Sequence, residues 1–198
     1  MNILLAEDQA MVRGALAALL SMEPDFHVTE AVDGDHALQL LRQQTFDVLL
    51  SDIEMPGRSG LELAQWLQQQ QTRTRIIIIT TFGRAGYIRR AIDMGVSGFL
   101  LKDAPSSELI QAIYRVMEGK RVIDGELAMT ALGEVDPLSD KERRALRLAA
   151  EGKSTSDIAT TLCLSEGTVR NYLSEAIAKL NAANRVDAAR IARQKGWL

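Results

Sequence analysis

Cysteine is almost missing from this sequence of 198 residues, and the single Cys163 excludes both a disulfide framework and a cysteine-based zinc site. Long hydrophobic runs are missing as well. None approaches the roughly 20 residues that cross a bilayer, and no early basic-then-apolar segment has the form of a secretion signal. These absences lead to the expectation of a soluble, cytoplasmic protein with no membrane partner. An excess of one charge is nearly missing overall, with 23 Lys and Arg against 26 Asp and Glu, but the balance is uneven along the chain. From Met1 to Asp136 there are 12 basic against 19 acidic residues, a net of −7; from Pro137 to Leu198 there are 11 against 7, a net of +4. An acidic front and a basic back suggest two domains, the smaller a candidate for binding a polyanion, although +4 is also an ordinary solvated surface.

Four short apolar runs each end in polar residues. Asn2 to Ala6 runs into Glu7 and Asp8, Val48 to Ser51 into Asp52, Arg75 to Ile79 into Thr80, and Phe99 to Leu101 into Lys102. Such runs read as buried parallel strands, and Val28 to Val32 supplies one more. Between them lie segments of helical spacing: Met11, Ala15, Leu16, Leu19 and Leu20; Ala37, Leu38, Leu40 and Leu41; Leu61, Ala64 and Leu67; Ile88, Ala91 and Ile92; Leu109, Ile110, Ile113 and Val116. Strand and helix alternate five times, which predicts a parallel sheet covered on both faces in the flavodoxin-like order 2-1-3-4-5. In that order the ends of strands one and three flank the functional crevice, which brings Glu7, Asp8 and Asp52 together.

Three carboxylates without a cation repel one another, so the grouping calls for a neutralising ion. Magnesium suits it, because that ion takes oxygen ligands from one or two carboxylates plus a phosphate and keeps several waters. With Lys102 adding positive charge, the site is suited to hold a phosphoryl group on Asp52. Singly, each residue has a plainer explanation as a helix cap or a solvated charge; together they require several coincidences at one sheet edge.

The stretch from Met1 to about Lys120 resembles the receiver domain of bacterial two-component response regulators. The resemblance rests on the acidic pair, Asp52 within Ser51-Asp52-Ile53-Glu54-Met55-Pro56-Gly57, the hydroxyl of Thr80 and the amine of Lys102. It implies that Asp52 takes phosphate from the phosphohistidine of a sensor histidine kinase, with Mg2+ held by Asp8, Asp52 and the backbone carbonyl of Glu54, and with Glu7 assisting through water. Lys102 and Thr80 would contact the phosphoryl oxygens, Thr80 and Phe99 would form the switch, and Glu54 and Phe82 would set the phosphate lifetime. Thr81 rivals Thr80, which is preferred because it directly follows the isoleucine run. Two departures stand out: Glu7 occupies a position where Asp is commoner, and Asp103 stands where many receivers have proline.

Arg121 to Asp136 reads as a linker, with a weak helical pattern through Leu127, Met129 and Leu132. Beyond it, Ser139 and Glu142 form a capping box, Ser154 caps a second helix, and Ser165 caps a long helix reaching Leu180. The apolar positions Ala159, Leu162, Leu164, Val169 and Tyr172 suit a helix-turn-helix, with Cys163 where many such motifs place glycine. Leu138-Ser139 with Glu142, Gly152-Lys153-Ser154, Ile158-Ala159, Leu164-Ser165, Thr168-Val169-Arg170 and Lys179-Leu180 resemble the LuxR-type four-helix DNA-binding domain of the NarL/FixJ group; the match runs from Pro137 to about Ala192, and the domain is expected over residues 137–198. The resemblance directs Arg170, Asn171 and Ser174, which share one helix face, into the major groove of promoter DNA. Ser165, Thr168, Tyr172, Lys179 and Arg185 read as phosphate contacts. The two-domain layout leads to the expectation of a homodimer on phosphorylation, formed through the last helix with Val186, Ala189 and Ile191, which resembles the dimerising helix of this domain class, or through Leu16, Leu20, Ile110 and Ile113, with RNA polymerase as a further partner. The only chemistry implied is self-phosphotransfer and autodephosphorylation.

Two other functions compete. A phosphohydrolase of the haloacid-dehalogenase kind also uses an Asp nucleophile and magnesium, but wants an Asp two residues later, where this chain has Glu54. A receiver that is never phosphorylated and serves as a fixed dimerisation module is the third.

Overall fold

The computed structural model describes residues 1–81, 83–123, 125, 128–129 and 136–198. The chain divides into two compact units, the first carrying the strands and the second the last helices. From Asn2 to Ile123 strands and helices alternate as β1 (Asn2–Ala6), α1 (Ala10–Leu20), β2 (His27–Ala31), α2 (Gly34–Gln43), β3 (Val48–Asp52), α3 (Gly60–Gln69), β4 (Arg75–Thr80), α4 (Ala85–Asp93), β5 (Gly98–Leu101), α5 (Ser106–Met117) and β6 (Val122–Ile123). All pairings are parallel and the order is 2-1-3-4-5-6. The runs are continuous because both faces are covered: Ile3, Leu4, Leu5, Leu49, Leu50, Ile77 and Ile78 are all fully or almost fully buried.

Two expectations are corrected. The sheet has six strands rather than five: Val122 and Ile123, placed in the linker by their sequence, pair with Gly98 and Phe99. Two residues are too few to carry a period, and the β-branched pair finds its place only because α5 returns the chain to the sheet edge. The buried stripe of α1 is also rotated from the expected one. Met11 is 87% exposed, while Leu16, Leu19 and Leu20 pack into the core. Nearly every residue of this helix is apolar, so spacing alone does not select a face. The helical pattern expected at Leu127 and Leu132 lies outside the described residues.

The second unit has α6 (Asp140–Ala150), α7 (Thr155–Leu162), α8 (Glu166–Lys179) and α9 (Arg185–Gln194). Capping boxes start α6 at Ser139 and α7 at Ser154, Ser165 caps α8 by accepting from the Thr168 N–H, and Asn184 caps α9. Leu146, Ile158, Val169, Leu173, Ala176, Ala188 and Ala192 form its core. At the turn between α7 and α8, Cys163 adopts φ 54° and ψ 47°, the left-handed conformation that glycine enters without steric cost. No described helix is long and apolar enough to cross a membrane.

Candidate functional site

The carboxyl ends of β1, β3, β4 and β5 meet at one edge of the sheet. Register places Ala6 beside Ser51, Asp52 beside Ile79 and Thr80 beside Leu101, so the residues that follow or end these strands converge. Glu7 is fully buried, and Asp52 and Thr80 are each 5% exposed. Candidate ligand atoms of Glu7, Asp8 and Asp52 all lie within 4.8 Å of one another. Lys102 Nζ donates to Asp52 Oδ2 at 2.9 Å and lies 2.7 Å from Glu7 Oε2, a contact of opposite charges rather than a well-directed hydrogen bond. The other Asp52 oxygen, Oδ1, accepts from the Ile53 N–H at 2.7 Å, and Glu7 Oε1 accepts from the Gln9 N–H at 3.2 Å.

Burial pushes the Asp52 carboxyl above the usual carboxylate range, the Lys102 contact opposing it in part. For Lys102 burial works toward a lower value, but the pairing with Glu7 and Asp52 outweighs it and the ammonium is held more firmly than usual. One cation therefore serves two buried carboxylates. Asp8 Oδ1 is buried with no hydrogen-bond partner. A buried orphan carboxylate oxygen beside two further acids fits a hard, oxygen-liganded cation.

Lys102 is fixed at the backbone by its N–H, which donates to the Thr80 carbonyl at 2.8 Å. Thr80 is buried at the end of β4 while Thr81 is exposed, and Phe99 is buried in β5. Glu54 is exposed in the loop after Asp52, and Phe82 lies outside the described residues. The helix α3 begins right under the site: a Cβ at Gly60 would stand 2.2 Å from the Asp52 carbonyl oxygen, so this close approach requires glycine.

In the second unit α8 buries Val169, Leu173 and Ala176 and exposes Arg170, Asn171 and Ser174 on the opposite side. Arg170 pairs loosely with Glu166 at 3.5 Å and its side chain is 65% exposed. Ser165 and Thr168 hydroxyls are 2.8 Å apart at the helix start, Tyr172 is half-buried, and Arg185 is exposed at the start of α9. Lys179, read from sequence as a phosphate contact, reaches both carboxylate oxygens of Glu142 at 2.8 Å. Glu142 is 2% exposed and also accepts from the Ser139 N–H. This pair was not legible in advance because its partners are 37 residues apart. Of the residues expected to pair two copies, Leu20, Ile113 and Ala189 are buried, and Val186 is 71% exposed.

Comparison with known proteins agrees with both units. Residues 3–114 match the response regulator receiver domain family and residues 136–192 the LuxR family of bacterial regulatory proteins. The transcriptional regulatory protein YvfU of Bacillus subtilis is 47% identical over 100% of this chain and 99% of its own length. DesR, a transcriptional regulatory protein of the same organism, is 46% identical over 99% of this chain and 98% of its own. Among solved structures, RcsB from Salmonella enterica serovar Typhimurium bound to a promoter matches with a TM-score of 0.74 at 25% identity, over 96% of this chain and 97% of that one. The chain thus belongs to the two-component response regulators that join a receiver domain to a LuxR-type DNA-binding domain, and it is a regulator of transcription rather than a metabolic enzyme.

Proposed function

We propose that Asp52 is the phosphoacceptor, charged by the phosphohistidine of a sensor histidine kinase in the cytoplasm, and that phosphorylation brings two copies together on promoter DNA. The observation that carries this reading is the convergence of Glu7, Asp8, Asp52 and Lys102 at one sheet edge, with Asp8 Oδ1 buried and without a hydrogen-bond partner. Asp8, Asp52 and the Glu54 carbonyl would hold Mg2+, with Glu7 reached through water. When bound, that ion neutralises charge on the phosphoryl oxygens.

An Asp52 carboxylate oxygen attacks phosphorus; an acyl phosphate forms as the bond from phosphorus to the donor's imidazole nitrogen breaks, and the imidazole leaves with the electron pair. Lys102, already 2.9 Å from Asp52, offers its ammonium to the incoming phosphoryl oxygens. The bound group carries a charge of about −1.5 to −2. Thr80, buried at the neighbouring strand end, is drawn toward that charge, and Phe99 moves into the space it leaves. Glu54 and Phe82 govern how readily water reaches the acyl phosphate. In the second unit Arg170, Asn171 and Ser174 read base edges, with Ser165, Thr168, Tyr172, Lys179 and Arg185 positioned toward the backbone phosphates. For Lys179 this means exchanging Glu142 for a phosphate. RNA polymerase would meet the complex at the promoter.

Incubation with acetyl phosphate and Mg2+, followed by intact mass, tests the reading. One stable phosphoryl adduct that disappears in Asp52→Ala is expected. Multiple turnover would indicate a phosphohydrolase, and no adduct a fixed dimerisation module; either outcome overturns it.

A further inference from the structure

Arg13 sits in the opening turns of α1, where its charge meets the positive end of the helix dipole. That placement is unfavourable for the helix, and the N-cap residue Gln9 supplies no side-chain cap to offset it. The Arg13 side chain is only 15% exposed and its guanidinium turns back toward the chain leaving β1. Its Nη1 donates to the Glu7 carbonyl at 2.8 Å and lies 3.5 Å from the Asp8 carbonyl, while Nε donates to Glu30 Oε2 on β2 at 3.2 Å. Glu7 and Asp8 lie in the short gap between β1 and α1, outside both elements. Arg13 gives the Glu7 carbonyl a close partner and reaches the Asp8 carbonyl, and Glu30 fixes the direction of the fork.

We infer that Arg13 is a positioning residue for the metal-binding carboxylates, holding the backbone of Glu7 and Asp8 so that both side chains converge on Asp52. The inference rests on the reading of this edge as a magnesium-dependent phosphoacceptor site. Arginine suits the task because its planar guanidinium makes two directed contacts at once, one to a carbonyl and one to a carboxylate; a lysine ammonium on its flexible stem holds only one of them in place. Arg13 touches none of the carboxylate oxygens at the site, so its effect passes through backbone geometry. Partners that orient ligands in this way typically change metal affinity about 10- to 100-fold when removed.

The test measures Mg2+ binding by calorimetry with no phosphodonor present, and separately the Mg2+ concentration that half-saturates phosphorylation by acetyl phosphate. Arg13→Gln is expected to weaken Mg2+ about tenfold in both measurements, with the phosphorylation rate at saturating Mg2+ within about twofold of the unsubstituted chain. Arg13→Lys should fall between the two, and Glu30→Gln, a change at a half-exposed residue that spares folding, should shift Mg2+ affinity in the same direction by a smaller factor. Unchanged Mg2+ affinity in folded Arg13→Gln and in Glu30→Gln overturns the inference, as does full recovery in Arg13→Lys, which would make the effect one of charge alone. If Arg13→Gln does not fold, the Glu30→Gln and Arg13→Lys results decide in the same way. Failure of the underlying site reading looks different: the unsubstituted chain itself would take up no Mg2+ or no phosphate.

Discussion

Glu142 shows how much can rest on one side chain. It closes the capping box of α6, is almost fully buried, and holds the Lys179 ammonium with both oxygens. Burial alone would raise its pKa, but the Lys179 contact and the bonds from Ser139 outweigh that, so the carboxyl is held below the usual carboxylate range. A depressed folded value means stability that is fully present above the unfolded value of about 4.3 and is lost as pH falls through the folded one. Because Lys179 is 40% exposed, solvent screening keeps the contribution modest. Glu142→Gln is expected to cost about 1 kcal/mol at pH 7. The gap between the two proteins should stay level from neutral pH down to about 5 and narrow as pH falls below the unfolded value, since the glutamine does not titrate. Urea unfolding followed by Trp197 fluorescence in a Trp66→Phe background checks this; a gap that widened on acidification would contradict it.

At the scale of elements, the contrast between two glycines locates what the site demands of its scaffold. Gly60 opens α3 against the backbone of β3, and an added methyl group would collide with the Asp52 carbonyl, which cannot rotate away. Gly14 lies in the exposed part of α1 with nothing within 4 Å of its would-be Cβ. Gly60→Ala should therefore destabilise the chain by about 1 to 3 kcal/mol and slow its phosphorylation. Gly14→Ala should stabilise it by about 0.5 to 1 kcal/mol and leave phosphorylation unchanged. Urea midpoints and the time course of the mass adduct read both effects, and a benign Gly60→Ala would mean that the close approach is not needed. The same comparison explains what the sequence disclosed. Asp52 and its neighbours were visible because buried parallel strands are long apolar runs whose polar ends stand out. The two-residue β6, the buried face of α1 and the pairing of Lys179 with Glu142 were not, since each is decided by tertiary packing rather than by local period. Arg13 left one trace, a guanidinium inside an otherwise apolar helix, but its partners lie on a different strand and on backbone atoms that sequence does not show.

At the scale of the whole molecule, charge and size set the terms of DNA binding. The chain carries −7 through Asp136 and +4 beyond it, so the acidic part weakens the attraction of a single copy for a polyanion. The surface that α8 would offer to base edges under the proposed reading is also small, with Arg170, Asn171 and Ser174 as its exposed candidates. Two such surfaces held on half-sites one helical turn apart, about 34 Å, convert the second contact into an intramolecular one. Phosphorylation is then expected to tighten binding about 100-fold on a duplex selected from a random pool with the phosphorylated chain. Because binding releases counterions in proportion to the phosphates contacted, the slope of log affinity against log salt should about double on phosphorylation. Inserting five base pairs between the half-sites turns the second surface to the far side of the helix, and both the gain and the extra slope should vanish. Arg170→Ala should weaken binding with the five-base-pair insertion and without it, while leaving phosphorylation intact. A phosphorylated chain that kept the slope of the unphosphorylated one, or tolerated the insertion, would show that a single copy binds and that the phosphoryl group acts within one chain.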